Sequence, residues 1–71
     1  MMEFEPGQLV TCDWARRKRR EEAPIFILLA KRYPGRRVEA YCMYDPTHVN
    51  NWFGHTLTLA IDAIIHFNPQ Q

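Results

Sequence analysis

The side chains with the most versatile chemistry in this chain are two cysteines and three histidines: Cys12, Cys42, His48, His55 and His66. Structural zinc sites pair their ligands at short spacing, and these five residues form no such pair. Both cysteines fall on the apolar side of an alternating segment, where cysteine behaves as a small hydrophobic residue. We therefore expect both thiols to be buried and reduced, and we expect no metal and no cofactor.

Catalytic patterns are absent from the sequence. No nucleophile has a base at a recognisable spacing, and no glycine-rich phosphate loop occurs. A chain of 71 residues also has little room for the sequestered pocket that catalysis usually needs. These observations predict a protein that is not an enzyme.

The strongest feature is a run of five adjacent cations, Arg16, Arg17, Lys18, Arg19 and Arg20. The window from Arg16 to Arg37 holds all nine Lys and Arg residues and only two acidic residues, so its net charge is +7, although the whole chain carries +1. Residues 1–15 and 38–71 each contain three acidic residues and no Lys or Arg. This asymmetry indicates an acidic partner.

Several interpretations of the basic run remain open. It could grip phosphates, meet an acidic protein surface, or act as a nuclear-localisation-like run in a eukaryotic cell. It could also be only a solvated loop, which the neighbouring Glu21 and Glu22 favour because they partly neutralise it. We favour partner binding.

Two further groups are candidates for the same surface. Lys31, Arg32, Arg36 and Arg37 surround the Pro34-Gly35 turn and form a second basic group. Tyr41 and Met43 alternate outward on a strand and are predicted interface residues, with packing under the long loop as the alternative. Tyr33, Trp52 and Phe53 are further aromatic candidates for stacking on bases or anchoring a protein interface, and for Trp52 and Phe53 we favour the alternative of core packing or shielding.

Turn residues divide the chain into short β-forming segments. Residues 8–14 predict a strand with Val10, Cys12 and Trp14 inward and with Thr11 and Asp13 outward. Residues 25–30 predict a second strand, with a short helix as the alternative. The third, 38–44, turns its even-numbered residues (Val38, Ala40, Cys42 and Tyr44) inward. A fourth, 52–59, has Leu57 and Leu59 inward, a 3₁₀ turn covers 61–63, and residues 64–67 form the last strand.

The opening Phe4-Glu5-Pro6-Gly7-Gln8-Leu9-Val10-Thr11 resembles the "PGDLV" start of SH3-like barrels, including many small proteins of tailed bacteriophages. The ending, Trp52 through Thr58 and then Ala60 through Ile64, is similar to their closing strand, 3₁₀ turn and final strand. The "ALYDY" signature of peptide-binding SH3 domains is missing, so the resemblance does not imply a proline-rich ligand. It implies an all-β, five-stranded SH3-like barrel with a 3₁₀ turn before the last strand. Because the loops after the first and second strands of such barrels flank one groove, the resemblance also implies that the second basic group borders one face together with the run.

The sequence thus predicts one domain over residues 1–71 that acts by binding. The leading hypothesis is an adaptor or inhibitor, phage-encoded, that engages an acidic host protein or nucleoprotein through its basic loops. The alternatives are direct binding of nucleic acid and a structural role in a virion or larger complex. No signal peptide is predicted, because residues 1–6 contain no basic n-region and no apolar h-region, and no membrane span is predicted, because the longest apolar run covers only residues 25–30. Since the chain has only two cysteines, and these form no C-x-x-C pair, we expect reduced thiols and a cytoplasmic location.

Overall fold

Alternating apolar residues and regularly spaced turns produce five short strands in the computed structural model, which describes residues 4–13, 23–46 and 52–67. The strands are β1 (Leu9–Cys12), β2 (Ile25–Tyr33), β3 (Arg37–Tyr44), β4 (Thr56–Ala60) and β5 (Ile64–His66), and a 3₁₀ turn (Ile61–Ala63) links the last two. The prediction of an all-β chain with five strands and a 3₁₀ turn before the last strand is confirmed. Residues 25–30 belong to a strand and not to the alternative helix.

The strands form one antiparallel sheet in the order β4-β3-β2-β1-β5. The first four strands follow one another as a meander, and β5 returns to pair with β1. Among the described strands the sheet is open rather than closed into a barrel, and β4 and β5 are its two edges.

One face of this sheet carries the core. Val10, Phe26, Leu28, Val38 and Cys42 are each less than 2% exposed. A single flat sheet would leave such a face open to water, so burial this complete requires the sheet to bend around its own inner side chains. Trp52 closes one side of this core, with its ring 5.9 Å from that of Phe26 between centroids.

Two irregularities in the pairing of β2 with β3 account for the bending. Leu28 pairs with Ala40, yet Arg32 pairs with Val38, so β2 contains two more residues than β3 over this stretch. Near the other end, Phe26 pairs with Cys42 and Ile25 with Tyr44, which leaves Met43 as an extra residue in β3. Bulges of this kind bend a strand and increase its twist.

The extra residue Met43 also corrects one prediction. Strict alternation placed Tyr44 inward with Val38 and Cys42, but Tyr44 is 44% exposed. Because Met43 is inserted between two paired positions, Tyr44 lies opposite Ile25 on the outer face of the sheet.

The first strand departs from its predicted pattern as well. Thr11, expected to face solvent, is only 4% exposed, because the chain returns beside it at Pro24, whose carbonyl accepts a 2.7 Å hydrogen bond from the Thr11 hydroxyl. Cys12, expected to be buried, is half-buried, whereas Cys42 is fully buried. The strand ends at Cys12, and the predicted inward position of Trp14 lies outside the described residues.

The fourth strand is shorter than predicted. It begins at Thr56 and not at Trp52, because residues 52–55 form a turn in which the His55 amide donates to the Trp52 carbonyl at 3.0 Å. Gly54, the third residue of this turn, has φ +79°, a conformation that glycine adopts without steric cost. Within the strand the prediction is confirmed, since Leu57 and Leu59 are half-buried while Thr56 and Thr58 are exposed.

Candidate binding surface

The basic run Arg16–Arg20 lies outside the described residues, but the strands that it connects are described. The chain leaves the sheet after Cys12 and rejoins it at Ile25, and the buried hydrogen bond between Thr11 and Pro24 holds these two points together. The connection that carries the five cations therefore starts and ends at one place, the end of the sheet where β1 finishes and β2 begins.

The second basic group lies elsewhere. The turn at residues 34–36 joins the far end of β2 to β3, and its Gly35 has the positive φ that the Pro34-Gly35 pair predicts. β2 spans nine residues, up to about 26 Å when fully extended, between this turn and the place where the basic connection ends. The turn with the second basic group therefore lies at the opposite end of β2 from the point where the chain enters that strand. The expected convergence of the two groups depends on Arg16–Arg20, which lie outside the described residues, and stays a prediction.

Two cations of the second group are bound to other parts of the fold. Arg36 forms an ion pair with Asp62, with 3.2 Å between Nη2 and Oδ1. Arg32 is half-buried and its guanidinium donates to the backbone carbonyl of Phe4, which fastens the start of the described chain to β2. The guanidinium groups of Arg32 and Arg36 are thus both engaged in contacts within the chain.

A third cation of this group lies over an aromatic ring. The Lys31 ammonium is 5.3 Å from the centre of the Tyr33 ring, and the Tyr33 hydroxyl donates to the Glu39 carboxylate at 3.0 Å. Arg37 is exposed, and the part of the chain that the structure describes gives it no ion pair. The second group thus offers a partner fewer available cations than its composition implies.

The predicted interface residues Tyr41 and Met43 are exposed, at 39% and 45% of their surface. Two neighbours are exposed as well: Tyr44, which the sequence did not single out for this role, and Phe53, an aromatic candidate for which core packing or shielding was favoured. Phe53 was expected to pack in or over the core, but it is 62% exposed because it occupies the second position of the turn at residues 52–55. No signal in the alternation of residues would have identified Tyr44, since its position depends on the bulge.

These side chains belong to one region, which we name the aromatic end and define as Tyr41, Met43, Tyr44 and Phe53. The Gly54 amide donates to the Cys42 carbonyl at 3.0 Å, which holds the turn with Phe53 beside the last residues of β3. The aromatic end therefore combines the end of β3 with the turn that precedes β4.

The aromatic end lies beside the strands from which the basic run extends. Across the outer face, Thr11 pairs with Ile25 and Ile25 pairs with Tyr44, so only β2 separates Tyr44 from β1. Two interstrand spacings amount to about 10 Å. Tyr41 and Met43 thus lie near the end of the sheet where the connection with the basic run leaves β1 and enters β2, whereas Arg36 and Arg37 lie at the opposite end of β2.

Beneath the aromatic end, the chain is held by buried polar groups. Asp45 is 3% exposed, and its carboxylate accepts a 3.2 Å hydrogen bond from the Trp52 amide. The Cys42 thiol donates to the Tyr44 carbonyl at 3.5 Å. Burial raises the pKa of this thiol, and the nearby Asp45 charge raises it further, so Cys42 is a poor nucleophile at neutral pH.

Within the described ranges 4–13, 23–46 and 52–67, no group of three or more His, Cys, Asp or Glu residues is placed to hold a metal ion. His48 lies outside those ranges. Across the same ranges, no helix has the length and apolar character to cross a membrane.

Comparison of the chain with protein-family models, with curated proteins and with solved structures gave no match. A functional assignment therefore has to be argued from the sequence and the geometry of the site.

Proposed function

We propose that this chain is a non-catalytic binding module that holds an acidic protein partner between its basic run and its aromatic end. The observation that carries this proposal is that only β2 separates Tyr44 from β1, the strand after which the connection with the basic run leaves the sheet. A surface that mixes cations with aromatic and methionine side chains is of the kind that protein interfaces use. Charge steers the approach of the partner, and the apolar groups provide the contact that persists after docking.

The state of the second basic group favours a protein partner over nucleic acid. A groove that tracks a phosphate backbone needs cations along its length. Arg32 and Arg36 are bound to Phe4 and Asp62, and Lys31 lies over Tyr33, so these three cations are held by contacts within the fold. Met43 adds a flexible apolar group that is typical of adaptable protein-binding surfaces.

The architectural part of the proposal is an SH3-like small barrel. Its support is the element order, in which a 3₁₀ turn precedes a last strand that returns beside the first, together with the two pairing irregularities that bend the sheet. The resemblance of residues 4–11 to small phage barrels extends the proposal to an adaptor or inhibitor that acts on a host protein or nucleoprotein in the cytoplasm.

The test compares three variants of the immobilised chain in an extract of the source cells. In the first, Arg16, Arg17, Arg19 and Arg20 become Ala; in the second, Met43 and Tyr44 become Ala; in the third, a matched control, Arg37 becomes Ala at the other end of β2. Wild type and control should retain one nuclease-resistant partner, and the other two should lose it while staying folded by circular dichroism. Capture that disappears with nuclease would transfer the assignment to nucleic acid, and capture by all three variants would overturn it.

A further inference from the structure

The edge strand β4 differs from the edges that soluble proteins usually expose. Its sequence, Thr-Leu-Thr-Leu-Ala, contains no charge, no proline and no glycine, although such residues normally protect an exposed edge against pairing with another chain. The opposite edge, β5, has only three residues, and shortness is itself a protection. β4 is therefore the edge that lacks these protections against pairing with another strand.

The backbone of β4 presents unused hydrogen-bonding groups to that strand. The Cys42 amide donates to the His55 carbonyl and the Ile61 amide to the Arg36 carbonyl, which fixes the odd-numbered residues of this segment as those that bond to β3. By the alternation of an antiparallel ladder, Thr56 and Thr58 direct their N–H and C=O groups away from β3. Among the described strands, β3 alone pairs with β4.

We propose that β4 is a dimerisation edge that pairs antiparallel with β4 of a second copy of this chain. The register that overlaps the whole strand places Thr58 opposite Thr58 of the second copy on a two-fold axis, and Thr56 opposite Ala60. The amides and carbonyls of the two Thr58 residues then bond reciprocally, and each Ala60 amide bonds to a Thr56 carbonyl. The strand is complementary to itself in this register.

Side chains on both faces fit a second copy. Leu57 and Leu59 are half-buried at the margin of the core. In this register Leu57 of each copy lies opposite Leu59 of the other copy, so pairing would join the two cores along the inner face. On the outer face the paired side chains are threonine and alanine, which bring no like charges together across the axis. Cross-strand threonine pairs are themselves favourable.

Sedimentation equilibrium tests the proposal with three substitutions at one exposed position. Wild type and Thr58→Val, which keeps the backbone donor and a β-branched side chain, should show the same monomer–dimer equilibrium up to about 1 mM, since a small interface is weak. Thr58→Lys sets two ammonium groups opposite each other, and Thr58→Pro removes the amide; each should weaken dimerisation at least tenfold. A wild-type chain that stays monomeric over this range, or an undiminished dimer in either folded variant, overturns the proposal.

A crosslinking experiment tests the register and needs no loss of binding. In a Cys12→Ser background, Thr58→Cys should oxidise to a covalent dimer, because directly paired residues have Cα atoms about 5.5 Å apart, within disulfide reach. Thr56→Cys is the matched control, since in this register its counterpart lies four residues along the strand, about 13 Å away. Equal crosslinking of the two variants would overturn the proposed register, in which the two-fold axis lies at Thr58. A chain can fail this test and still bind its acidic partner.

Discussion

Arg36 and Asp62 connect the turn between β2 and β3 to the 3₁₀ turn, with Nη2 of the guanidinium 3.2 Å from Oδ1 of the carboxylate. A backbone hydrogen bond of 2.9 Å, from the Ile61 amide to the Arg36 carbonyl, lies beside this ion pair. Arg36 adopts φ +57°, a left-handed conformation that disfavours side chains with a Cβ. The residue thus combines a favourable contact with an unfavourable backbone.

The first prediction separates these two contributions. Arg36→Ala and Arg36→Gly both remove the exposed ion pair, which is worth at most about 1 kcal/mol. Only glycine relaxes at φ +57°, although it also gains entropy in the unfolded chain. We expect Arg36→Gly to be more stable than Arg36→Ala by roughly 0.5–1 kcal/mol in urea denaturation. Equal stabilities would show that the left-handed backbone costs nothing here.

The second prediction concerns the hydroxyl that joins β1 to Pro24. Thr11→Val preserves shape but leaves the buried Pro24 carbonyl without its 2.7 Å partner, so we expect a loss of about 1–3 kcal/mol in the free energy of unfolding. Thr56→Val makes the same chemical change at an exposed position and should stay within about 0.5 kcal/mol of wild type. If the two variants proved equally stable in urea, the hydrogen bond would contribute little.

The third prediction concerns Asp45. Its buried carboxylate holds the Trp52 amide, and Trp52 in turn covers Phe26. Asp45→Ala removes the acceptor and should cost about 1–3 kcal/mol, while Asp45→Asn retains a side-chain oxygen and should cost less. Near-ultraviolet circular dichroism should show a reduced tryptophan signal in Asp45→Ala before global unfolding. An unchanged spectrum together with unchanged stability would contradict this role.

Local chemistry explains which parts of this fold could be predicted from sequence. Alternation located the core face of β3 from Val38 to Cys42, because neighbouring strand residues must point to opposite faces. The Pro34-Gly35 turn followed from the fixed φ of proline and the freedom of glycine, both of which are covalent properties.

The features that the sequence did not reveal depend on distant pairing. Tyr44 faces outward because one residue of β3 has no counterpart in β2, and that mismatch is visible only when the strands are aligned. Arg32 reaches the carbonyl of Phe4, 28 residues away, so a cation that looked available for a partner is part of the fold. Thr11 is buried because the chain returns to it at Pro24. Composition cannot anticipate such contacts.

The last prediction uses the two thiols as reporters of the fold and of pH. Cys42 is buried and its pKa is raised, chiefly by burial, whereas Cys12 is half-buried. At neutral pH a disulfide reagent should therefore modify Cys42 in the Cys12→Ser variant much more slowly than it modifies Cys12 in the Cys42→Ser variant.

The sign of the pH effect follows from the raised pKa. The folded state keeps the Cys42 proton at pH values where the unfolded thiol, with a pKa of about 8.5, has begun to lose it. The stability contribution of this group is thus complete below about pH 8.5 and is lost as the pH rises through the folded pKa. Urea midpoints measured from pH 7 to pH 10 should fall more steeply for wild type than for Cys42→Ser. Parallel profiles for the two proteins would show that the thiol titrates alike in the folded and unfolded chain.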